Sequence, residues 1–192
     1  MYRVYYKLNV EFDFLKDSNF PFAHTETVDS NWLVKTESAN NLSDGMRKFA
    51  TDNNFNIHSY QGPDTFMFFR GTPNTSLEVH VDRGPKWGIN YITGSTNHDM
   101  VWYGFTEGNN RRNGFEIPTS DGKASYLSFH DNQVTEVDRA TLNGLYLVRI
   151  DMPHSVQNYD PDNYRYCLAV KDIYNTWSWE ETVERFRPYL EI

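Results

Sequence analysis

The sequence has little of what would tie it to several common settings. It carries a single cysteine, Cys167, so no disulfide can form within the chain and a reducing compartment is expected. That thiol sits in an apolar strand pattern, which suits a buried, inert side chain better than a nucleophile. Basic residues are outnumbered: 18 Lys and Arg stand against 26 Asp and Glu, giving a net charge of −8 and a pI near 5.2. Such a chain has no general attraction for nucleic acid or anionic membranes, and neither is expected as a partner. The local basic groups Arg83 with Lys86, and Arg111 with Arg112, read first as solvated loop charge and second as contacts for an acidic substrate. No stretch approaches the roughly 20 apolar residues that cross a bilayer, and the opening MYRVYYKLNVEF lacks the apolar run of a signal peptide. A soluble cytoplasmic protein is the expectation.

What is abundant is aromatic: 13 Tyr, 13 Phe and 5 Trp make up 16% of the chain. Aromatic and β-branched residues suit pleated, half-buried surfaces, which points to strands. Alternating or apolar runs are read as strands at 2–14, 32–35, 56–60, 65–70, 76–82, 87–93, 100–106, 114–117, 126–130, 133–138, 145–151 and 164–171, separated by breaks such as GTPN, RGPK, TGSTN, EGNN, TSDGK and YDPDN. Two segments have helical spacing instead. Leu42, Met46, Phe49 and Ala50 recur every three to four residues after a cap at Asn41 or Ser43, giving a helix near 42–53. The pattern Ser178-Trp-Glu-Glu181 is a capping box that opens a second helix, 178–187, stopped by Pro188; Trp179, Val183 and Phe186 would pack on the outside of a sheet.

Many short strands at near-regular spacing make a barrel or sandwich, and the jelly roll with about eight core strands is the version that holds a metal inside. The expected fold is mainly β with a few helices, a cupin-like double-stranded β-helix. One domain, 1–192, is expected, with an N-terminal extension over 1–70 and the core strands at about 71–171.

Within that frame His80 and Asp82 stand out in LEVHVD, residues 77–82. Residues two apart on a strand share a face, so an imidazole and a carboxylate are presented side by side. The HxD or HxE pattern by itself is weak, since about one such pair is expected by chance from this composition. His24-Thr25-Glu26 is such a control and reads as surface sequence. The alternation of Leu77, Val79 and Val81 with Glu78, His80 and Asp82 is what a metal-bearing strand shows, although a solvated strand face has the same pattern. Downstream, MPHSVQN places His154 just past Pro153, at the turn into another short strand, and the apolar YRYCLAVK carries Arg165 eleven positions further on. Two histidines and one carboxylate are the donor set of a facial triad with open coordination positions on iron. An arginine pointing inward from an apolar strand needs an anion. The distal carboxylate of 2-oxoglutarate would supply one in the paired geometry a guanidinium favours.

The pattern of HxD, then PHSV, then a downstream arginine followed by a small residue resembles the Fe(II)- and 2-oxoglutarate-dependent oxygenases. The segment HVDRGPKWGINYITGSTNHDMVWYGF is also similar to small oxygenase-like proteins of marine phage and environmental sequences. The resemblance covers roughly residues 77–171, about half the chain. It implies that His80, Asp82 and His154 bind Fe(II), that Arg165 pairs with the distal carboxylate of 2-oxoglutarate, that Asn90 is a polar contact near the cosubstrate, and that dioxygen is consumed in hydroxylating a small molecule or a peptidyl side chain. One position departs from the pattern: the family often carries Ser or Thr two residues after the arginine, where this chain has Cys167, a poorer hydrogen-bond donor.

Two other readings stay open. One is a metal-binding cupin enzyme that uses another divalent ion without 2-oxoglutarate, and the other a non-enzymatic jelly-roll module that binds no metal. Of the remaining histidines, His58 and His130 read as structural and His98 as solvent-facing. Trp87, Tyr91, Trp102 and Tyr103 read as either pocket lining or core.

Overall fold

The computed structural model describes residues 3–19, 32–119 and 125–192; His24 and Glu26 lie outside them. In chain order the described elements are β1 (Tyr5–Lys7), β2 (Trp32–Ser38), α1 (Asp44–Asp52), β3 (His58–Ser59), β4 (Gly62–Pro63), β5 (Thr65–Gly71), β6 (Thr75–Val81), β7 (Trp87–Gly94), β8 (His98–Phe105), β9 (Phe115–Pro118), β10 (Ser125–Ser128), β11 (Val134–Ala140), β12 (Gly144–Arg149), β13 (His154–Asn158), β14 (Arg165–Val170) and α2 (Trp179–Phe186). Two six-stranded antiparallel sheets form, ordered β1-β12-β7-β14-β5-β2 and β11-β8-β13-β6-β10-β9. Leaving out the added edge strands, the chain passes from one sheet to the other at nearly every step through β5, β6, β7, β8, β11, β12, β13 and β14. This is the jelly roll, a double-stranded β-helix. The β9-β10 hairpin is inserted between β8 and β11 and extends the second sheet beyond β6.

The first sheet is apolar on both faces because its strands alternate two sets of hydrophobic residues. Phe66, Phe68, Trp87, Ile89, Leu147, Leu168 and Val170 face outward and are covered by α1 and α2 through Met46, Phe49, Trp179, Val183 and Phe186. Met67, Ile92, Val148, Cys167 and Ala169 face inward and meet Met100, Trp102 and Val156 of the second sheet. Full burial of one such side chain contributes roughly 1.5–3 kcal/mol, so the intersheet layer and the helix-covered face both hold the first sheet in place. The helix starts follow from their caps. Ser43 accepts from the Met46 N–H at 2.9 Å, and Ser178 and Glu181 close the expected capping box. Replacing either serine with alanine costs about 1 kcal/mol.

Several expected boundaries are corrected. The strand over 2–14 is cut to Tyr5–Lys7, because β1 pairs along one side only, with β12. Beyond it Phe12 packs tilted against Phe49, and Phe14 stacks on Tyr91. The strand over 56–60 shrinks to His58–Ser59, in a two-residue ribbon with β4. The core strands begin at Thr65 rather than at about residue 71: β5 pairs with β14 on one side and β2 on the other, so strands within the first 70 residues are integral to the first sheet. No helix among the described residues is long and apolar enough to cross a membrane.

Candidate metal centre

An irregularity in β6 sets the site. On one side β13 runs regularly against β8, with His154 opposite Trp102 and Val156 opposite Met100. On its other side His154 lies opposite His80, but Val156 lies opposite Leu77. Two steps along β13 are thus matched by three along β6, a bulge at Glu78 and Val79 of the kind that re-aims a side chain beside a site. Leu77 and His80 therefore both turn inward, while Val79 and Val81 turn out to a separate cluster with Phe129 and Val134. Strict alternation would have put Leu77 and His80 on opposite faces.

The two imidazoles are buried, with ring centroids 4.3 Å apart. His80 Nδ1 lies 2.8 Å from the Glu78 carbonyl and His154 Nδ1 lies 3.0 Å from the Met152 carbonyl. A carbonyl oxygen can only accept, so each Nδ1 carries a proton, which leaves Nε2 as the nitrogen that can face a metal. Asp82, one residue past β6, places Oδ1 3.7 Å from His80 Nε2. Ligand atoms of His80, Asp82 and His154 all fall within 4.8 Å of one another, and among the described residues this is the group of three that could hold a metal ion. Two imidazole nitrogens and one carboxylate suit a divalent transition metal.

The electrostatics keep Asp82 and His154 in ligand form. Burial works to raise the Asp82 carboxyl, but the Lys171 ammonium, with His154 and His80, outweighs it and holds Asp82 well below the usual carboxylate range. Burial, reinforced by His80, pushes His154 down to about 3, so its ring is neutral at ordinary pH. Lys171 is buried, lies directly after β14 and ion-pairs with Asp82 Oδ2. Arg111 donates to the Asp82 backbone carbonyl at 3.0 Å, fixing the turn after β6, while Arg83 pairs with Glu116 at the surface.

The triad opens onto an inner cavity of about 50 Å³ whose floor is the inward face of β14. Arg165, Cys167 and Ala169, followed by Lys171, line it in alternation, with Asn90 beside Ala169 on β7. Arg165 is 2% exposed, and its Nε has no hydrogen-bond partner. Burial pulls its pKa down, and its side-chain partner is the Cys167 thiol rather than a carboxylate. Burial pushes that thiol up in turn, so it stays protonated. Asn90 Oδ1 is likewise buried without a partner. The sequence-predicted His80, Asp82, His154, Arg165 and Asn90 are thus brought to one cavity. Among the lining residues that the sequence reading did not single out, Lys171 and Trp32 matter most. Lys171 shares the strand parity of Arg165, a signal that was present. Trp32 comes from β2 and lies over Gly71, where a Cβ would stand 2.6 Å from the indole; nothing local marks it. A wider cavity of about 370 Å³ shares Trp32, Phe69, His80, Asp82 and Lys171 with the inner one.

Other candidates fall elsewhere. His98 is buried, not solvent-facing, because its ring nitrogens sit 2.8 and 2.7 Å from the carbonyls of Ser95 and Leu142. His130 is exposed after β10, and His58 packs edge-on against Tyr174. Trp87 and Tyr91 belong to the helix-covered face, Trp102 to the intersheet core and Tyr103 to the outer cluster of the second sheet, so all four are packing residues.

No family model matches the sequence, and no curated protein matches it. Among solved structures, the chain is similar to Peruvianin-I, a cysteine peptidase from Thevetia peruviana latex, at 12% identity over 86% of this chain and 76% of that one, with a TM-score of 0.39. It is similar to Bacillus subtilis oxalate decarboxylase at 15% identity over 78% of this chain and 28% of that one, with a TM-score of 0.36. It is also similar to YcfD, a ribosomal oxygenase from Escherichia coli in complex with cobalt and 2-oxoglutarate, at 11% identity over 72% of this chain and 29% of that one, with a TM-score of 0.34. The chain thus spans less than a third of the decarboxylase and the ribosomal oxygenase. These likenesses are distant, and the fold assignment stands on the strand order itself.

Proposed function

We propose that this protein is an Fe(II)- and 2-oxoglutarate-dependent oxygenase that hydroxylates a small molecule or a peptidyl side chain. The observation that carries the reading is Arg165, a buried guanidinium on the same cavity as the triad with no carboxylate partner among the described residues. An unpaired buried charge is costly, and a carboxylate reaching it from the cavity would relieve that cost with the bidentate geometry arginine favours.

His80, His154 and Asp82 would hold the metal. When bound, it supplies the redox chemistry that couples decarboxylation of a 2-oxo acid to hydroxylation of a C–H bond. The chain's own residues do the rest. The Glu78 and Met152 carbonyls hold both rings with Nε2 free for ligation. Lys171 engages Asp82 Oδ2 and leaves Oδ1 turned toward His80. Arg165 anchors the distal carboxylate, and Asn90 offers a polar contact in the same cavity. Leu77, Met100, Ile150 and Val156 line it with apolar surface that keeps water away from the reacting atoms. The wider cavity, walled by Trp32, Phe69 and Tyr126, is the site for the substrate.

An anaerobic titration of Fe(II)-loaded protein with 2-oxoglutarate tests the reading. A metal-to-ligand charge-transfer band is expected, lost in Arg165→Ala while iron content is retained. A second reading, a metal-dependent cupin enzyme without 2-oxoglutarate, is favoured by the narrow inner cavity of about 50 Å³ and by Cys167 beside Arg165. Bound iron without a band selects it, and protein that binds no metal sinks both.

A further inference from the structure

The inner cavity holds two buried cations and one carboxylate. Arg165 and Lys171 are six positions apart on the same inward parity of β14, both about 95% buried or more. Asp82 is the carboxylate lining the inner cavity, and Lys171 already occupies one of its oxygens. Glu78 lines only the wider cavity, where it is exposed and accepts from the Tyr126 hydroxyl at 2.8 Å. Arg165, Lys171 and Asp82 together therefore leave the inner cavity with an excess of one positive charge. A divalent ion arriving alone raises the excess to three, and a dianion returns it to one. In a site this buried, charges a few ångströms apart interact strongly. The ammonium of Lys171 stands against the carboxylate oxygen not turned toward His80, within direct electrostatic reach of any ion held by Oδ1.

We infer that Lys171 is a positioning residue that acts through Asp82 to make metal and dianion binding interdependent: its ammonium opposes a lone divalent ion at the triad and is tolerated once an anion shares the cavity. The inference rests on the metal-and-dianion reading above. A purely structural lysine would do the reverse, since its loss would free Asp82 to swing and weaken the metal.

The probe is Mn(II) binding to metal-stripped protein, followed by calorimetry and by electron paramagnetic resonance, with and without 2-oxoglutarate. In the wild type the anion is expected to tighten Mn(II) binding on the order of 5- to 150-fold. In Lys171→Met, Mn(II) alone is expected to bind about tenfold more tightly than in the wild type, and the enhancement by 2-oxoglutarate to shrink. Lys171→Arg, which keeps the charge, is expected to retain the wild-type pattern. Lys171→Gln repeats the Met arm should that variant not fold. Weaker Mn(II) binding in the uncharged variants overturns the inference and leaves the metal reading standing. So does Mn(II) binding in the wild type that 2-oxoglutarate leaves unchanged. Failure of the wild type to bind Mn(II) under either condition overturns both.

Discussion

Lys171 and Arg165 stand at opposite ends of one strand face, both cationic and both buried, yet Lys171 meets the Asp82 carboxylate while Arg165 meets a thiol. The paired end is complete without a ligand: its ammonium is neutralised, and its carboxylate keeps one oxygen turned toward the histidines. The unpaired end is not, since the Arg165 Nε and, on the neighbouring strand, Asn90 Oδ1 lack partners. Burying an ion pair is at best a modest gain, whereas burying a lone charge is a clear loss. A ligand would offset such a loss, so on the proposed function the contrast separates an end that would hold a metal from an end that would take an anion.

The largest perturbation makes the two ends alike. Asp82→Ala removes the partner of Lys171 and leaves a second lone cation in the cavity. It is expected to destabilise the protein by about 3–5 kcal/mol, lowering Tm by roughly 6–20 °C, and to leave no metal after dialysis, as read by elemental analysis. A variant that melts like the wild type would show that the Lys171 pair does not hold the site.

Next in size is the pH response of the metal end. The folded pKa of His154, about 3, lies below its unfolded value of 6.5. Between those values the unfolded chain takes up a proton that the folded chain refuses, so stability is full above pH 6.5 and falls as pH falls toward 3. From pH 6.5 to 4.5 the metal-free protein is expected to lose roughly 2 kcal/mol from this group, measured by denaturant titration. His98, its pKa lowered by burial and by nearby Arg165, acts in the same direction. His154→Gln, which cannot titrate, is expected to flatten most of the slope; an unchanged slope would assign it elsewhere.

The complementary change acts at the other end. Arg165→Met removes the lone cation and fills its space with apolar atoms. It is expected to stabilise the metal-free protein by about 1–3 kcal/mol while abolishing turnover of 2-oxoglutarate with metal retained. The two properties move apart because Arg165 is costly to the fold and useful to the ligand. A fall in Tm would mean that Arg165 is already satisfied.

How much of this was legible in the sequence differs from strand to strand. The β14 alternation YRYCLAVK was readable and correctly put Arg165 and Cys167 on one face. The same parity extends to Lys171, which was passed over because a lysine at a strand end reads as solvated. The triad residues were named, but for β6 the strand pattern alone gave the wrong neighbours. LEVHVD alternates without a break, and the bulge that turns both Leu77 and His80 inward is imposed by pairing with β13. His98 misled for a related reason. Its local sequence TGSTNH is polar, and only the Leu142 carbonyl, 44 residues on, explains its burial. The helix starts were legible because a cap is a local device, and the jelly-roll class was legible in the number and spacing of short strands, while the strand order was not. The 65–70 strand was read nearly to its ends, but its place within the core sheet was not, because apolar FMFF reads the same in a core strand as in an extension.

The smallest expected effect tests the unpaired end most directly. Cys167 lies two residues after Arg165 on the cavity floor and is that guanidinium's side-chain partner. A thiol is a weak donor and a weak acceptor; a hydroxyl of similar shape is better at both. In Cys167→Ser the hydroxyl can accept from Arg165 and donate to the carboxylate beside it, adding one hydrogen bond that is present only when the anion is bound. One such bond is worth about 1 kcal/mol, so 2-oxoglutarate is expected to bind roughly fivefold more tightly to Fe(II)-loaded Cys167→Ser than to the wild type, with metal affinity unchanged because the Lys171 end is untouched. If the melting temperature rises and the 2-oxoglutarate affinity does not, the new hydroxyl has satisfied Arg165 from within the chain, and the unpaired guanidinium is a packing defect rather than an anion site.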